Sequence, residues 1–200
     1  MTQIELGTLN KSFRYDDFRA FVTEALEKDS SILGLDEGYL KYAELNEARL
    51  HRLDKTLKVD ETFATALKDL NKEYIWIVIS ESWCGDAAQS VPMLNKLASV
   101  GDKIEMLIVL RDQNLELMDQ FLTNGGRAIP KLIIVEKATN KIVGDWGPRP
   151  KGARELVESY KAENGKFDET GAIELQKWYA KNKGFEVQQE VVDLMLSIDK

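Results

Sequence analysis

The amino-acid sequence predicts an α/β fold: a central mixed β-sheet with flanking helices, carrying helical extensions at both ends. Three observations predict it. The run from Tyr74 to Ile79 (Tyr-Ile-Trp-Ile-Val-Ile) is apolar on both faces, which suits a strand buried at the centre of a sheet. From that run to Tyr160, strand-like and helix-like patterns alternate, the order expected of a small α/β sandwich. Before and after this region the apolar residues recur at the three-and-four spacing of helices.

The elements follow in order. Phe18, Phe21, Val22, Ala25 and Leu26 share one face of a first helix, with Asp16 or Asp17 placed to cap it. Ser30 to Gly38 is a break. A longer stripe runs through Tyr39, Tyr42, Ala43, Leu50, Leu53 and Leu57, interrupted on the same face by Asn46, and reads as a surface helix packed on a core. Asp60 can cap a third helix bearing Phe63, Ala66, Leu67 and Leu70. After the central strand, Ala87, Ala88, Val91, Leu94 and Ala98 form the inner face of a helix that contains Pro92. Ile104 to Leu110 is a second buried strand. Asn114 can cap a helix with Leu115, Met118, Phe121 and Leu122 inward, stopped by Asn124-Gly125-Gly126. The runs from Lys131 to Val135 and from Lys141 to Val143 form a hairpin, and Pro150 opens a helix with Ala153, Leu156, Val157 and Tyr160 on one face. Two further helical stripes, divided by Gly184, end the chain. The expected organisation is an N-terminal helical extension over 1–59, an α/β domain over 60–162 and a C-terminal helical appendage over 163–200.

Composition bounds the function. A 44% hydrophobic content suffices for a core, and no run approaches the roughly 18 apolar residues of a membrane span. Residues 1–10 lack the order of a secretory signal, so a cytoplasmic location is expected. With 34 acidic against 27 basic side chains, the net charge of -7 disfavours nucleic acid or an anionic membrane as partner. A single cysteine excludes an internal disulfide and a CxxC zinc site, and neither a metal nor a cofactor is expected. There is no Ser/His/Asp set, and His51 reads as structural or surface.

The chemistry therefore centres on Cys84, which lies where the central strand turns into a helix. Unpaired N–H groups and the positive end of the helix dipole favour a thiolate there, which makes Cys84 a candidate nucleophile. The competing reading is that a lone cysteine is a small buried hydrophobe.

Three stretches resemble the thioredoxin superfamily. Trp83, Cys84, Gly85 and Pro92 fall without a gap on its Trp-Cys-Gly-Pro-Cys motif and the proline of the following helix. Ile129-Pro130 resembles its cis-proline loop, and Val143-Gly144 through Gly152-Ala153 the glycine-containing loop that forms a third wall of the site. The longer pattern is similar to a group of bacterial thioredoxin family proteins with an N-terminal helical extension. The resemblance implies a site of Trp83, Cys84, Gly85, Ala87, Ile129 and Pro130. Two departures bear on one step. The second cysteine of the motif falls on Ala87, and the buried carboxylate of thioredoxins falls on Val78, so a dithiol reductase is contradicted.

Asp86 stands in place of the usual motif proline. Its carboxylate is placed to cap the helix or move a proton, although its charge opposes thiolate formation. From Gly125 to Arg154 there are seven basic residues (Arg127, Lys131, Lys137, Lys141, Arg149, Lys151, Arg154) and two acidic (Glu136, Asp145), a local balance of 7 − 2 = +5. That reversal suits an anionic low-molecular-weight thiol as co-substrate, with Arg127 and Arg149 as its carboxylate contacts, or else a solvated basic edge. Trp83 and Trp146 are expected to flank the mouth. The expected function is monothiol exchange on protein or small-molecule disulfides through Cys84, with an external thiol resolving the intermediate. The alternative is a non-catalytic binding module using the cis-proline groove. A shared iron–sulfur cluster is a third and weaker idea.

Overall fold

The structure, a computed structural model, describes residues 3–200; Met1 and Thr2, the first residues of the expected N-terminal extension, lie outside them. Five strands form one sheet: β1 (Ser12–Phe13), β2 (Tyr74–Ser80), β3 (Ile104–Leu110), β4 (Lys131–Glu136) and β5 (Lys141–Trp146), in the order β1-β3-β2-β4-β5. All seven residues of β2 are buried, as its two-sided apolar pattern requires. It runs parallel to β3, with Tyr74 opposite Ile104 and Ser80 opposite Leu110, and antiparallel to β4. The β4–β5 hairpin turns at Asn140, whose φ is +53°, and carries a bulge at Ile134/Val135. The mixed α/β architecture expected from the sequence is the one observed.

Among the described residues, eight α-helices surround the sheet: α1 (Tyr15–Lys28), α2 (Glu37–Thr56), α3 (Glu61–Lys68), α4 (Gly85–Ala98), α5 (Leu115–Met118), α6 (Lys151–Asn164), α7 (Glu169–Asn182) and α8 (Phe185–Ile198). Asp36, Asp60 and Asp168 cap α2, α3 and α7 through their carboxylates. Three local expectations are corrected. The residue before α1 is Arg14, which makes no side-chain cap, and Asp16 and Asp17 lie in the first turn, where the dipole favours them. The helix after Asn114 has only four residues, with Leu115 and Leu122 exposed. Asn114 does not cap it, because its amide instead accepts from the Asn10 N–H (2.9 Å) and donates to the Leu110 carbonyl (2.9 Å). Strand β1 falls where only helices were expected. Two residues are too few to show a period, and pairing with Ile108 and Val109 alone defines it.

The core is shared by both extensions. Phe18 and Val22 of α1, Leu53 of α2 and Val187, Val191 and Met195 of α8 join β2, β4 and α4 in a single cluster. Helix α2 packs along α4, and Asp199, just after α8, accepts hydrogen bonds from the N–H groups of Asn71 and Lys72 and from the Tyr74 hydroxyl. Asp199 thereby fixes the end of α8 to the start of β2, the end of that strand opposite to the one from which α4 departs.

Between β5 and α6 the chain passes close to Pro130. Gly147 has a φ of +117°, and a Cβ there would collide with the Pro130 carbonyl oxygen. Gly147→Ala is expected to cost about 1–3 kcal/mol in urea unfolding. Gly7→Ala, where a Cβ would meet nothing, should stay within about 0.5 kcal/mol.

Candidate functional site

Cys84 is the N-cap residue of α4, with extended backbone (φ -78°, ψ 114°). Its Sγ accepts the Ala87 N–H at 3.5 Å and donates to the Ile129 carbonyl at 3.3 Å. The Ile129–Pro130 peptide is cis. Both residues are buried; Ile129 lines the groove described below, and Pro130, expected at the site, does not.

Cys84 is buried, with 8% of the residue exposed. Burial pushes it up to about 12, and the Asp86 charge acts in the same direction; the Ala87 and Asp86 N–H groups and Arg149 pull it down by less. The expected helix-start thiolate is therefore corrected: desolvation outweighs the dipole, and the group is a protonated thiol at neutral pH.

Asp86 neither caps α4 nor contacts Sγ as a proton carrier. It is itself buried. Its Oδ2 pairs with the Arg149 guanidinium at 2.6 Å and its Oδ1 accepts the Tyr179 hydroxyl at 2.9 Å. Burial, with the Asp86 charge adding, raises the Tyr179 hydroxyl well above its ordinary pKa. A carboxylate taken out of water needs a cation and hydrogen bonds around it, and here they come from the β5–α6 connection and from α7.

Above the thiol lies a groove of about 830 Å³. Tyr39, Tyr42, Leu45 and Arg49 of α2 form one wall, and Ile173 and Gln176 of α7 stand on the other. Trp83 packs on the Tyr39 ring (4.7 Å between centroids), and the Arg111 guanidinium lies 4.8 Å from its centroid.

Of the residues expected at the site, Trp83, Cys84, Gly85, Asp86, Arg127, Ile129 and Arg149 all line this groove, and Ala87 contributes its N–H from beneath. Trp146 does not reach it. It is a core residue of β5 whose indole N–H donates to Glu190 of α8 at 2.7 Å. The expected positive field is also corrected. Arg127 pairs with Asp119, Lys131 with Asp145, Lys137 with Glu73, Arg149 with Asp86, Lys151 with Glu155 and Arg154 with Glu190. Five of those six carboxylates, all but Asp145, lie outside the stretch whose charges were counted. Arg127 and Arg149 each already have a carboxylate partner, the first at the surface and the second buried.

Sequence reasoning missed the contributions of both extensions. The one available signal was Asn46, a polar residue inside an apolar stripe. It is fully buried, donates to the Ser82 carbonyl (2.9 Å) and so pins α2 to the loop that carries Cys84. Glu81 on that loop was missed as well. Burial raises its carboxyl to about 7 against the lowering effect of the Asp112 N–H, which it accepts at 3.0 Å.

A cysteine at a strand-to-helix turn, facing a cis-proline loop beside a mixed sheet, defines a thioredoxin-like domain. A family model described as Thioredoxin matches residues 33–161, and the chain belongs to that family. The match includes α2. No curated protein matches the chain. Among solved structures, it is similar to a protein of unknown function from Pseudomonas aeruginosa (TM-score 0.60, 14% identity, covering 92% of this chain and 98% of that one). It is also similar to an HIV epitope-scaffold (TM-score 0.55, 14% identity, covering 88% and 97%). At such identities the likeness is one of fold.

Two predictions follow from the buried groups. Followed by ultraviolet absorbance, Cys84 should show no thiolate below about pH 10, and at pH 8 iodoacetamide should label it at least roughly a hundredfold more slowly than in the urea-unfolded chain. Glu81 is held above its unfolded value of 4.5, so the native state keeps a proton that the unfolded chain has released. Stability should then fall as pH rises from about 4.5 to 7, by at most about 3 kcal/mol. In urea titrations at several pH values, Glu81→Gln should lose that slope and be the more stable protein at pH 8.

Proposed function

We propose that the protein is a thioredoxin-fold binding protein, which holds a partner in the groove over Cys84 and does not turn over disulfides. The observation that carries this reading is the pairing of a deeply buried, protonated thiol with an open groove walled by the exposed side chains Tyr39, Tyr42, Leu45 and Ile173. Ala87 and Val78 support it, since neither can resolve a mixed disulfide or take a proton from a second thiol. Cys84 acts in this reading as a hydrogen-bond donor that ties α4 to the Ile129 carbonyl.

Monothiol exchange is the second reading, favoured by the opening of Cys84 onto the groove and by the Ala87 N–H at its sulfur. Sγ would bond to one sulfur of a mixed disulfide and release the other as a thiol. An external thiol would later displace the bound group. With no second cysteine to pair with, Cys84 suits a reducing compartment such as the cytoplasm under either reading.

Parallel captures with wild-type, Cys84→Ser and Tyr42→Glu protein separate them, together with intact-mass analysis of wild-type protein from acid-quenched cells. The expected result is the same bound species, small molecules included, on wild type and Cys84→Ser, retention under reductant, loss on Tyr42→Glu and no thiol adduct on Cys84. Partners lost on reduction or on Cys84→Ser, or a disulfide adduct on Cys84, would establish exchange instead.

A further inference from the structure

The groove's cations are not equivalent. Arg111, Arg127 and Arg149 each have a carboxylate within ion-pair distance, and Lys177 is exposed. Arg49 is half-buried and has no carboxylate partner among the described residues. Its one hydrogen bond goes from Nη1 to the Asn46 amide oxygen at 2.9 Å. Asn46 is fully buried and anchored to the Ser82 carbonyl, so the guanidinium is held in place next to the Cys84 loop. Burial, with Arg52 adding, disfavours its charge. A cation kept partly out of water without a counterion is costly, and an anion arriving in the groove would offset that cost.

A second donor converges on the same place. The Gln176 amide oxygen accepts from Gln89 Nε2 at 2.7 Å, which turns Gln176 Nε2 toward Gly85. A Cβ built on Gly85 would lie 3.5 Å from that nitrogen and 3.7 Å from Arg49 Nη1. Two donors from opposite walls thus flank the first residue of the 14-residue helix α4, whose dipole also favours negative charge. Of the two carboxylates that line the groove, Asp86 is already satisfied by Arg149 and Tyr179, and Glu169 is exposed. Beyond this polar corner the walls are Tyr39, Tyr42, Leu45 and Ile173, all exposed large apolar side chains.

We propose that the groove binds a small carboxylate with an aliphatic or aromatic body: the carboxylate takes Arg49 and Gln176 above Gly85, and the body lies on Tyr39, Tyr42, Leu45 and Ile173. The assignment rests on the reading of the groove as a binding site and names its ligand class. A volume of about 830 Å³ with one polar corner suits a single small molecule. An extended peptide would compete for the Ile129 carbonyl, which already accepts the Cys84 thiol.

Calorimetric titration with sodium dodecanoate below its micellar concentration tests the assignment, with dodecylammonium and acetate as companion probes. Dodecanoate should bind, and neither dodecylammonium nor acetate should match it. Arg49→Gln should weaken dodecanoate about tenfold or more, with Arg49→Lys retaining most of the affinity. Gln176→Leu, which leaves Arg49 and Asn46 in place, should weaken it by a smaller factor and serves as the second variant should Arg49→Gln fold poorly. Equal binding of dodecylammonium, indifference of dodecanoate to both substitutions, or no dodecanoate binding at any submicellar concentration would each overturn the assignment. Dodecanoate binding that survives Arg49→Gln and Gln176→Leu and is lost in Tyr42→Glu removes the carboxylate contacts alone and leaves the groove as a binding site. Protein partners captured only through a disulfide at Cys84 would instead remove the binding-protein reading without touching the dodecanoate result.

Discussion

Burial of the Asp86 carboxylate is the constraint on which the rest of the site depends. A charge at the first turn of α4, closed off from solvent, needs a cation and a hydrogen-bond donor in contact, and removing the cation would leave it uncompensated at a cost of about 3 kcal/mol or more. Arg149 and Tyr179 meet that need. They arrive from the β5–α6 connection and from α7, so one side chain ties together three segments widely separated in sequence. The C-terminal helices consequently lie over the start of α4, where Ile173 and Gln176 become a wall of the groove.

The same charge shapes the behaviour of the thiol. A cysteine at a helix N-terminus is normally favoured as thiolate, and the Ala87 N–H is in place to favour it here. Asp86 reinforces burial in the opposite direction, and its pairing with Arg149 ties up the cation that would otherwise favour a thiolate. Ala87 in place of a second thiol, Val78 in place of a buried carboxylate and Asp86 in place of proline are thus consistent with one another. Ala87 removes the second thiol and Val78 the proton acceptor that dithiol turnover needs, and Asp86 adds a charge that disfavours a thiolate at Cys84.

The strands, α4 and the cis-proline loop were legible in the sequence because each rests on local information: a two-sided apolar run, a helical stripe, a Trp-Cys-Gly frame and an Ile-Pro pair. Strand β1 was not, being defined by its partner alone. The electrostatics were legible least. Counting charges between Gly125 and Arg154 finds a surplus of cations, yet Arg127, Lys137, Arg149 and Arg154 are neutralised by Asp119, Glu73, Asp86 and Glu190, all outside that stretch. A linear count cannot register pairing that only folding creates. Trp146 was misplaced for a related reason: its strand position sends it toward α8, a helix with no local signature connecting it to β5.

Helix α2 shows how an extension can alter a site without supplying reactive groups. Its apolar stripe is broken by Asn46, and a buried amide in such a stripe costs stability unless it is fully bonded. Asn46 donates to the Ser82 carbonyl and accepts from Arg49, so the same residue sets the register of α2 against the Cys84 loop and positions the guanidinium beside Gly85. A shift of α2 by one residue would break the bond to Ser82 and turn Tyr39, Tyr42 and Leu45 away from the groove. The polar interruption is therefore what converts a covering helix into a wall, and the family match extending back to residue 33 fits a unit in which α2 belongs with the sheet rather than beside it.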